Sequence, residues 1–214
     1  MFSRNFRLVR DAAVAAVALS LFGWLAVAVL HGETTVFDAA ARDAVHALAS
    51  PGMTWVMRGL TELGGGFFLW PLGALLVVWL AMSGRRRDAV LLAVAVVGAN
   101  AFGEAMKLVF QRARPGPWFG YPRPFTYSFP SGHAFVSYCF YLALAAILIP
   151  EHWRLWKKFA AWTAALALTS LIGFSRVYLG VHFPTDVLAG YAAAIAWSAV
   201  IRAAHQAWWP PMLE

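Results

Sequence analysis

Residues 12–30 read AAVAAVALSLFGWLAVAVL, a run without a single charged side chain. About 20 mostly apolar residues wound as a helix cross the roughly 30 Å of bilayer hydrocarbon, so this run is long enough to span. Five further uncharged apolar runs follow, at 63–83, 89–103, 134–150, 159–175 and 187–201. The second is long enough as it stands. The last four reach spanning length only if each helix takes in polar residues at one end, which brings Lys107, Ser131, Gly132, His133 and Asp186 to the membrane edge. The sequence therefore predicts an all-α polytopic membrane protein with six transmembrane helices, at about 12–30, 65–83, 89–109, 132–150, 159–177 and 185–203.

Composition agrees. Of 214 residues, 61% are hydrophobic and 13% charged, whereas a soluble domain is about 45–50% apolar and about 25% charged. Half the usual charge cannot cover a water-facing surface, which excludes disorder, a coiled coil or a cytosolic enzyme. The net charge of +7 forms no basic stripe, so no nucleic-acid partner is expected. Cys139 is the single cysteine and has no partner for an intrachain disulfide. No internal repeat or low-complexity tail divides the chain, so residues 1–214 read as one membrane domain.

Most cations sit where the positive-inside rule wants them. Arg4, Arg7 and Arg10 precede the first run, Arg85, Arg86 and Arg87 follow the second, and Arg154, Lys157 and Lys158 follow the fourth. All three groups place both termini in the cytoplasm of a bacterial-type inner membrane. The first run also has the outline of a signal peptide, with Ala26, Val27 and Ala28 as a cleavage site. Its apolar length favours a retained helix. Segments 31–62, 106–130 and 176–186 then lie outside. In the first, residues 38–48 read as a short amphipathic helix on the outer surface, with Phe37, Ala41, Val45 and Leu48 on its apolar side. His46 there reads as a solvated polar-face residue.

Lys107, Arg112, Arg114, Arg123 and Arg176 crowd into the last two outer segments, against the topogenic bias. Three polar clusters account for them. Lys107 and Arg114 are seven apart, hence on nearly one helix face, and Pro115 ends that helix. Two aligned cations repel unless an anion lies between them. Phe129-Pro130-Ser131-Gly132-His133 opens the fourth helix. Ser131 can cap it, Gly132 permits close approach to the backbone, and a helix N-terminus attracts anions. In Ser175-Arg176-Val-Tyr-Leu-Gly180-Val-His182-Phe-Pro184-Thr-Asp186, Arg176 ends one helix, Pro184 begins the next, and Asp186 is placed to orient the ring of His182. Span parity puts all three clusters at the same leaflet. Ionisable groups at such depth mark function, and this set suits a multiply charged oxyanion, phosphate before carboxylate.

These residues resemble the type 2 phosphatidic acid phosphatases, which share a core with the vanadium haloperoxidases. The three-part signature of that family, Lys-x6-Arg-Pro, Pro-Ser-Gly-His and Ser-Arg-x5-His-x3-Asp, occurs intact and in order at 107–115, 130–133 and 175–186. The resemblance implies that Lys107, Arg114, Arg176, Ser131 and the Gly132 N–H hold phosphate oxygens. It implies that His182, oriented by Asp186, attacks phosphorus, and that His133 protonates the leaving oxygen and later activates water. No metal site and no cofactor are implied. The substrate expected is a membrane lipid phosphate or diphosphate (undecaprenyl diphosphate, phosphatidylglycerol phosphate or phosphatidic acid) in the periplasmic or extracytoplasmic leaflet, with no obligate protein partner. A lipid-to-lipid phosphotransferase would use the same phosphohistidine. A non-catalytic lipid transporter would not need two imidazoles, one of them paired to a carboxylate. Glu104, three residues before Lys107, is expected to position that lysine. The aromatic residues of 116–130 fit an interfacial belt or, more sharply, a guide for a lipid tail.

Overall fold

The computed structural model describes residues 4–208, all of whose regular structure is helical: α1 (Arg4–Leu30), α2 (Thr35–His46), α3 (Pro51–Glu62), α4 (Gly66–Met82), α5 (Arg86–Phe110), α6 (Gly132–Leu148), α7 (Leu155–Tyr178) and α8 (Pro184–Trp208). Every apolar run becomes a helix. By length and composition, α1, α5, α7 and α8 each suffice to cross a membrane, and α3 with α4 forms a pair bent by 40° that counts as a fifth. α6 has only 17 residues. The expectation of six full-length spans is thus met by four helices outright, because α4 and α6 stop where polar, site-forming backbone begins.

α6 lies at the centre, against α5, α7 and α8; α1 runs along α8, and α4 along α5. Small residues permit this closeness, since lipid supplies no hydrophobic drive between helices and packing must hold them. Ala95, Ala99, Ala193 and Ala194 pack around Phe135 and Cys139. Large apolar side chains such as Trp24, Phe67, Leu75, Trp79 and Phe159 stay exposed on the outside of the bundle, where hydrocarbon is their solvent.

Three expectations change. The helix carrying Lys107 ends at Phe110, with Gln111 in the left-handed region at φ 44°, and does not continue to Pro115. Arg114 therefore comes from irregular, non-helical chain. The surface helix spans 35–46, and its inward side presents Thr34, Asp38 and Val45, while Phe37 and Leu48 are exposed. The ionic partner of Asp38 orients α2 together with Val45, which packs against the buried apolar residues of α7. His46 is not simply solvated, because its ring lies 4.2 Å from that of Trp118 and 5.3 Å from that of Phe119. A further helix, α3, was not legible as such. It begins at Pro51 behind Ser50, whose side chain accepts from the Met53 N–H at 3.2 Å.

At one end of the bundle, Asp11 of α1 is fully buried and bonded to Arg10 at 2.9 Å, Arg202 at 3.5 Å and Gln206 at 2.9 Å. This ties α1 to α8. The other end gathers the end of α5, the start of α6 and the α7–α8 turn. There Gly190 brings α8 onto the first turn of α6: a Cβ at this position would lie 2.7 Å from the Ser131 carbonyl oxygen and 3.0 Å from Ala134 Cβ. Both are rigid neighbours, so Gly190→Ala should cost about 1–3 kcal/mol as overpacking and displace His133, two residues after the cap. A lowered thermal midpoint in detergent together with impaired turnover is expected. Gly59→Ala, with open space around it, should be neutral or slightly stabilising. Equal effects of the two substitutions would contradict this packing account.

Candidate active site

A cavity of about 200 Å³ opens at the end of the bundle that α5, α6 and the α7–α8 turn share, and Lys107, Arg114, Gly132, His133, Arg176 and His182 line it. Six of the eight expected site residues therefore meet around one space. Ser131 and Asp186 stand behind that lining. Ser131 caps α6 instead of facing the cavity: its Oγ accepts from the Ala134 N–H at 3.5 Å, and its own N–H donates to the Asp186 carbonyl at 2.9 Å. Gly132 lies under the lysine, where a Cβ would be 3.4 Å from Lys107 Nζ. The first N–H groups of α6 thus open onto the cation-lined space, an arrangement that favours anions.

Each cation is held differently. Lys107 Nζ donates to Glu104 Oε1 at 2.7 Å, in the positioning role expected of Glu104. Arg114 is nearly all enclosed by acceptors. Its Nε donates to the Thr126 carbonyl at 2.6 Å, Nη1 to the Val181 carbonyl at 2.9 Å, and Nη2 to Thr126 Oγ1 and the Tyr127 carbonyl, both at 3.0 Å. Burial, and secondarily the charge of Arg176, lowers the Arg114 pKa to about 10, so the guanidinium remains charged at neutral pH. Arg176, 2% exposed, donates from Nη1 to Thr61 Oγ1 at 2.6 Å and to Tyr121 Oη at 3.2 Å. Its buried Nε–H has no hydrogen-bond partner. An unpaired buried donor is costly, and an oxyanion in the adjoining cavity would relieve it.

His182 has a tautomer that its neighbours dictate. Nε2 lies 2.9 Å from Arg114 Nη1, and a guanidinium only donates, so Nε2 carries the lone pair. Nδ1 then bears the hydrogen, directed at Asp186 Oδ2 at 3.3 Å. That carboxylate oxygen also accepts from the Phe183 N–H at 2.9 Å and from the Ser128 hydroxyl, while Oδ1 takes Arg112 Nη1 at 2.6 Å. Asp186 pairs with Arg112, not with Arg176. His133 faces the cavity against the glycine bend between α3 and α4, where a Cβ at Gly64 would lie 3.4 Å from its Cδ2 and one at Gly65 3.8 Å from its Nε2. Among the described residues, no three His, Cys, Asp or Glu side chains come together as a metal-binding group.

Sequence reading missed Thr61, Tyr121, Thr126, Ser128, Arg112 and Asp38. For Arg112 the signal was its place among the outer cations set against the topogenic bias. The aromatic segment 116–130 is tied to the bundle at several points, while Phe125 and Tyr127 stay exposed. Trp118 N–H donates to the Leu179 carbonyl at 2.9 Å, Arg58 holds the Phe119 carbonyl at 2.5 Å, Arg42 holds the Gly116 carbonyl at 3.1 Å, and Phe129 is buried. Gly180 at φ +76° allows this approach, since a Cβ there would lie 2.9 Å from both Gly116 O and Trp118 N.

Burial, the largest cause, lowers the His182 pKa to about 3, against the opposing hydrogen bond to Asp186. The unfolded imidazole, near pH 6.5, binds a proton more readily than the folded one. Stability is therefore complete above about pH 6.5 and declines as pH falls toward 3. The thermal midpoint in detergent should drop between pH 7 and pH 4.5, and His182→Gln should drop by visibly less. An equal drop in both proteins would mean that His182 is not held neutral.

Known proteins resemble this chain in sequence and in fold. Residues 88–210 match the PAP2 superfamily. Phosphatidylglycerophosphatase B of Bacillus subtilis is 31% identical over 181 residues, which are 84% of this chain and 89% of that one. An undecaprenyl-diphosphatase of Sulfolobus acidocaldarius is 32% identical over 64% of this chain and 63% of its own. A solved Bacillus subtilis structure, described as a transmembrane PAP2 type phosphatidylglycerolphosphate phosphatase, superposes with a TM-score of 0.81 at 28% identity, covering 92% of this chain and 98% of that one. Aquifex aeolicus LpxE, at 20% identity and a TM-score of 0.57 over 77% of this chain and 93% of that one, shares the fold. The chain belongs to the PAP2 superfamily.

Proposed function

We propose that this protein is a lipid phosphatase that removes the terminal phosphate of a membrane lipid phosphate or diphosphate through a phosphohistidine on His182. One observation carries the lipid reading. Leu69, Trp70 and Val96 line the cation-walled cavity and also a wholly apolar groove of about 190 Å³ between α4 and α5. A headgroup phosphate seated among Lys107, Arg114 and Arg176 would leave its chain directed along that groove into hydrocarbon. Undecaprenyl diphosphate, phosphatidylglycerol phosphate and phosphatidic acid all present that combination.

In the resting site, Arg114 Nη1–H occupies the lone pair of His182 Nε2. An incoming phosphate oxygen is a stronger acceptor than an imidazole nitrogen, so it draws that donor to itself and frees the nucleophile. Nε2 then bonds to phosphorus as the phosphorus–oxygen bond to the lipid breaks in line, and His133 gives a proton to the departing oxygen. Asp186 stabilises the positive charge that develops on the ring of His182. His133 next takes a proton from water, whose oxygen bonds to phosphorus as the Nε2–phosphorus bond breaks. Lys107, Arg114, Arg176 and the Gly132 N–H face the equatorial oxygens, where charge accumulates; Ser131 acts from behind by fixing the start of α6. The three cations make the chemistry independent of metal.

Sidedness follows from the sequence. Arg85, Arg86, Arg87, Arg154, Lys157 and Lys158 all lie at turns opposite to the site, which favours six crossings of an inner membrane, cytoplasmic termini and a site on the periplasmic face. In that arrangement α3 and α4 share one bent crossing, α6 makes a short one, and one membrane domain takes up the whole chain.

Phosphate release from a panel of lipid phosphates should continue in excess EDTA and be inhibited by orthovanadate, whose five-coordinate form imitates the transition state. Activity lost on chelation and restored by magnesium would refute the metal-free mechanism. Acid-quench trapping with radiolabelled substrate separates the histidines. His182→Ala should abolish turnover and label. His133→Ala should stop turnover of lipids yet retain some reaction with p-nitrophenyl phosphate, whose leaving group hardly needs a proton. Label retained on His182→Ala and lost from His133→Ala would reverse the roles.

A further inference from the structure

We propose that Asp38 and Arg112 are positioning residues for the nucleophile, acting through Asp186; this rests on His182 being the nucleophile. The two side chains belong to a row of alternating charge that ends at the imidazole. Arg112 Nη1 lies 2.6 Å from Asp186 Oδ1, and Nη2 lies 2.7 Å from Asp38 Oδ2. Thr185 closes the row from behind: its N–H and its hydroxyl donate to Asp38 at 3.1 and 2.7 Å, and its Oγ1 accepts from Arg112 Nη1 at 2.9 Å. Both carboxylates are buried, Asp38 at 1% and Asp186 at 0% exposure. The guanidinium carbon also lies over the Phe183 ring, 4.1 Å from its centroid.

None of Asp38, Arg112 and Asp186 lines the cavity, so the row reaches phosphate only through His182. Its physical effect is on Asp186. That carboxylate must keep one oxygen turned to Nδ1 of His182, and every other lone pair it has would otherwise seek a donor. Arg112 fixes Oδ1, while Ser128 and the Phe183 N–H share Oδ2 with the ring. A guanidinium alone would neutralise Asp186 and weaken its pull on the imidazole. Asp38 offsets that by sharing the cation, so the row carries a net negative charge behind the ring, where the positive charge of the phosphorylation step appears. Three separate parts of the chain meet here: α2, the non-helical segment after α5, and the first turn of α8. The surface helix α2 is thereby tied to the reaction.

The variants chosen keep shape. Asp38→Asn retains an acceptor for the Thr185 N–H but places no second charge on Arg112. We expect kcat for a lipid phosphate to fall about tenfold with KM and vanadate inhibition within about twofold, and phosphoenzyme formation to slow in single-turnover quench. In an Asp186→Asn background the same substitution should change kcat by less than about twofold, because residues acting through one group are non-additive. Arg112→Lys keeps one charge but loses the fork that bridges two carboxylates; it should recover part of the kcat lost in Arg112→Met. Should Asp38→Asn fail to fold, the Arg112→Lys cycle with Asp186→Asn decides instead. A raised KM with unchanged kcat, or equal losses in both backgrounds, overturns the proposal. Label trapped on His182→Ala would instead overturn the assignment of the nucleophile and leaves a distinct signature.

Discussion

Mutual repulsion among Lys107, Arg114 and Arg176 is the constraint that the rest of the structure accommodates. Three cations line a cavity of about 200 Å³ at the end of an apolar bundle, where the low dielectric strengthens repulsion and withholds water. Lys107 is compensated by a carboxylate one helical turn away, Glu104. Arg114 cannot be compensated that way without neutralising the site, and instead it is solvated by carbonyls of Thr126, Tyr127 and Val181. A helix interior has no carbonyls to spare, because its own N–H groups take them. The non-helical chain after Phe110 and the tight turn before Pro184 are therefore requirements of the charge, not leftover connections. Trp118, Arg42 and Arg58 in turn clamp that irregular chain to α2, α3 and the α7–α8 turn.

The small residues of the bundle answer the same constraint from the other side. Side chains can converge on a phosphate-sized volume only if the helix ends that carry them come closer than ordinary side chains permit. Gly190 against Ser131, Gly64 against Ile172 and Gly173 against Tyr191 are positions where a Cβ would sit inside 3 Å of a neighbour. Two of these flank the elements that bear His133 and Arg176. Stability and site geometry thus share residues.

Much of this was legible in the sequence, because charged residues placed against hydrophobic and topogenic expectation can be read one at a time. Lys107, Arg114, His133, Arg176 and His182 all arrive at one cavity, and span parity alone placed them at one end. Helix termini were less legible. Lys107 and Arg114 share a face in a continuous helix, but the left-handed Gln111 breaks it first, since Arg114 must reach carbonyls that a helix would not place around it. The inward side of α2 was misread for a related reason. A pattern of apolar residues says which side avoids water in isolation, whereas near a buried guanidinium one aspartate outweighs two exposed apolar side chains. Ser131 shows the converse case: its capping was read correctly, but the hydroxyl is spent on the helix and does not line the cavity.

The non-helical chain after Phe110 lets one short segment serve two opposed electrostatic demands. Arg112 and Arg114 differ by two positions, yet Arg114 faces the phosphate cavity and Arg112 faces two carboxylates. The imidazole of His182 stands between them, with Nε2 toward Arg114 and Nδ1 toward Asp186, the partner of Arg112. One face of the ring system is therefore cationic and suited to a phosphate; the other is net anionic and suited to the charge the ring would acquire in the proposed reaction. Two separate loops serving these demands would have to be ordered independently, each at its own entropic cost. Ending α5 at Phe110 separates the two fields across one histidine with a single ordered segment.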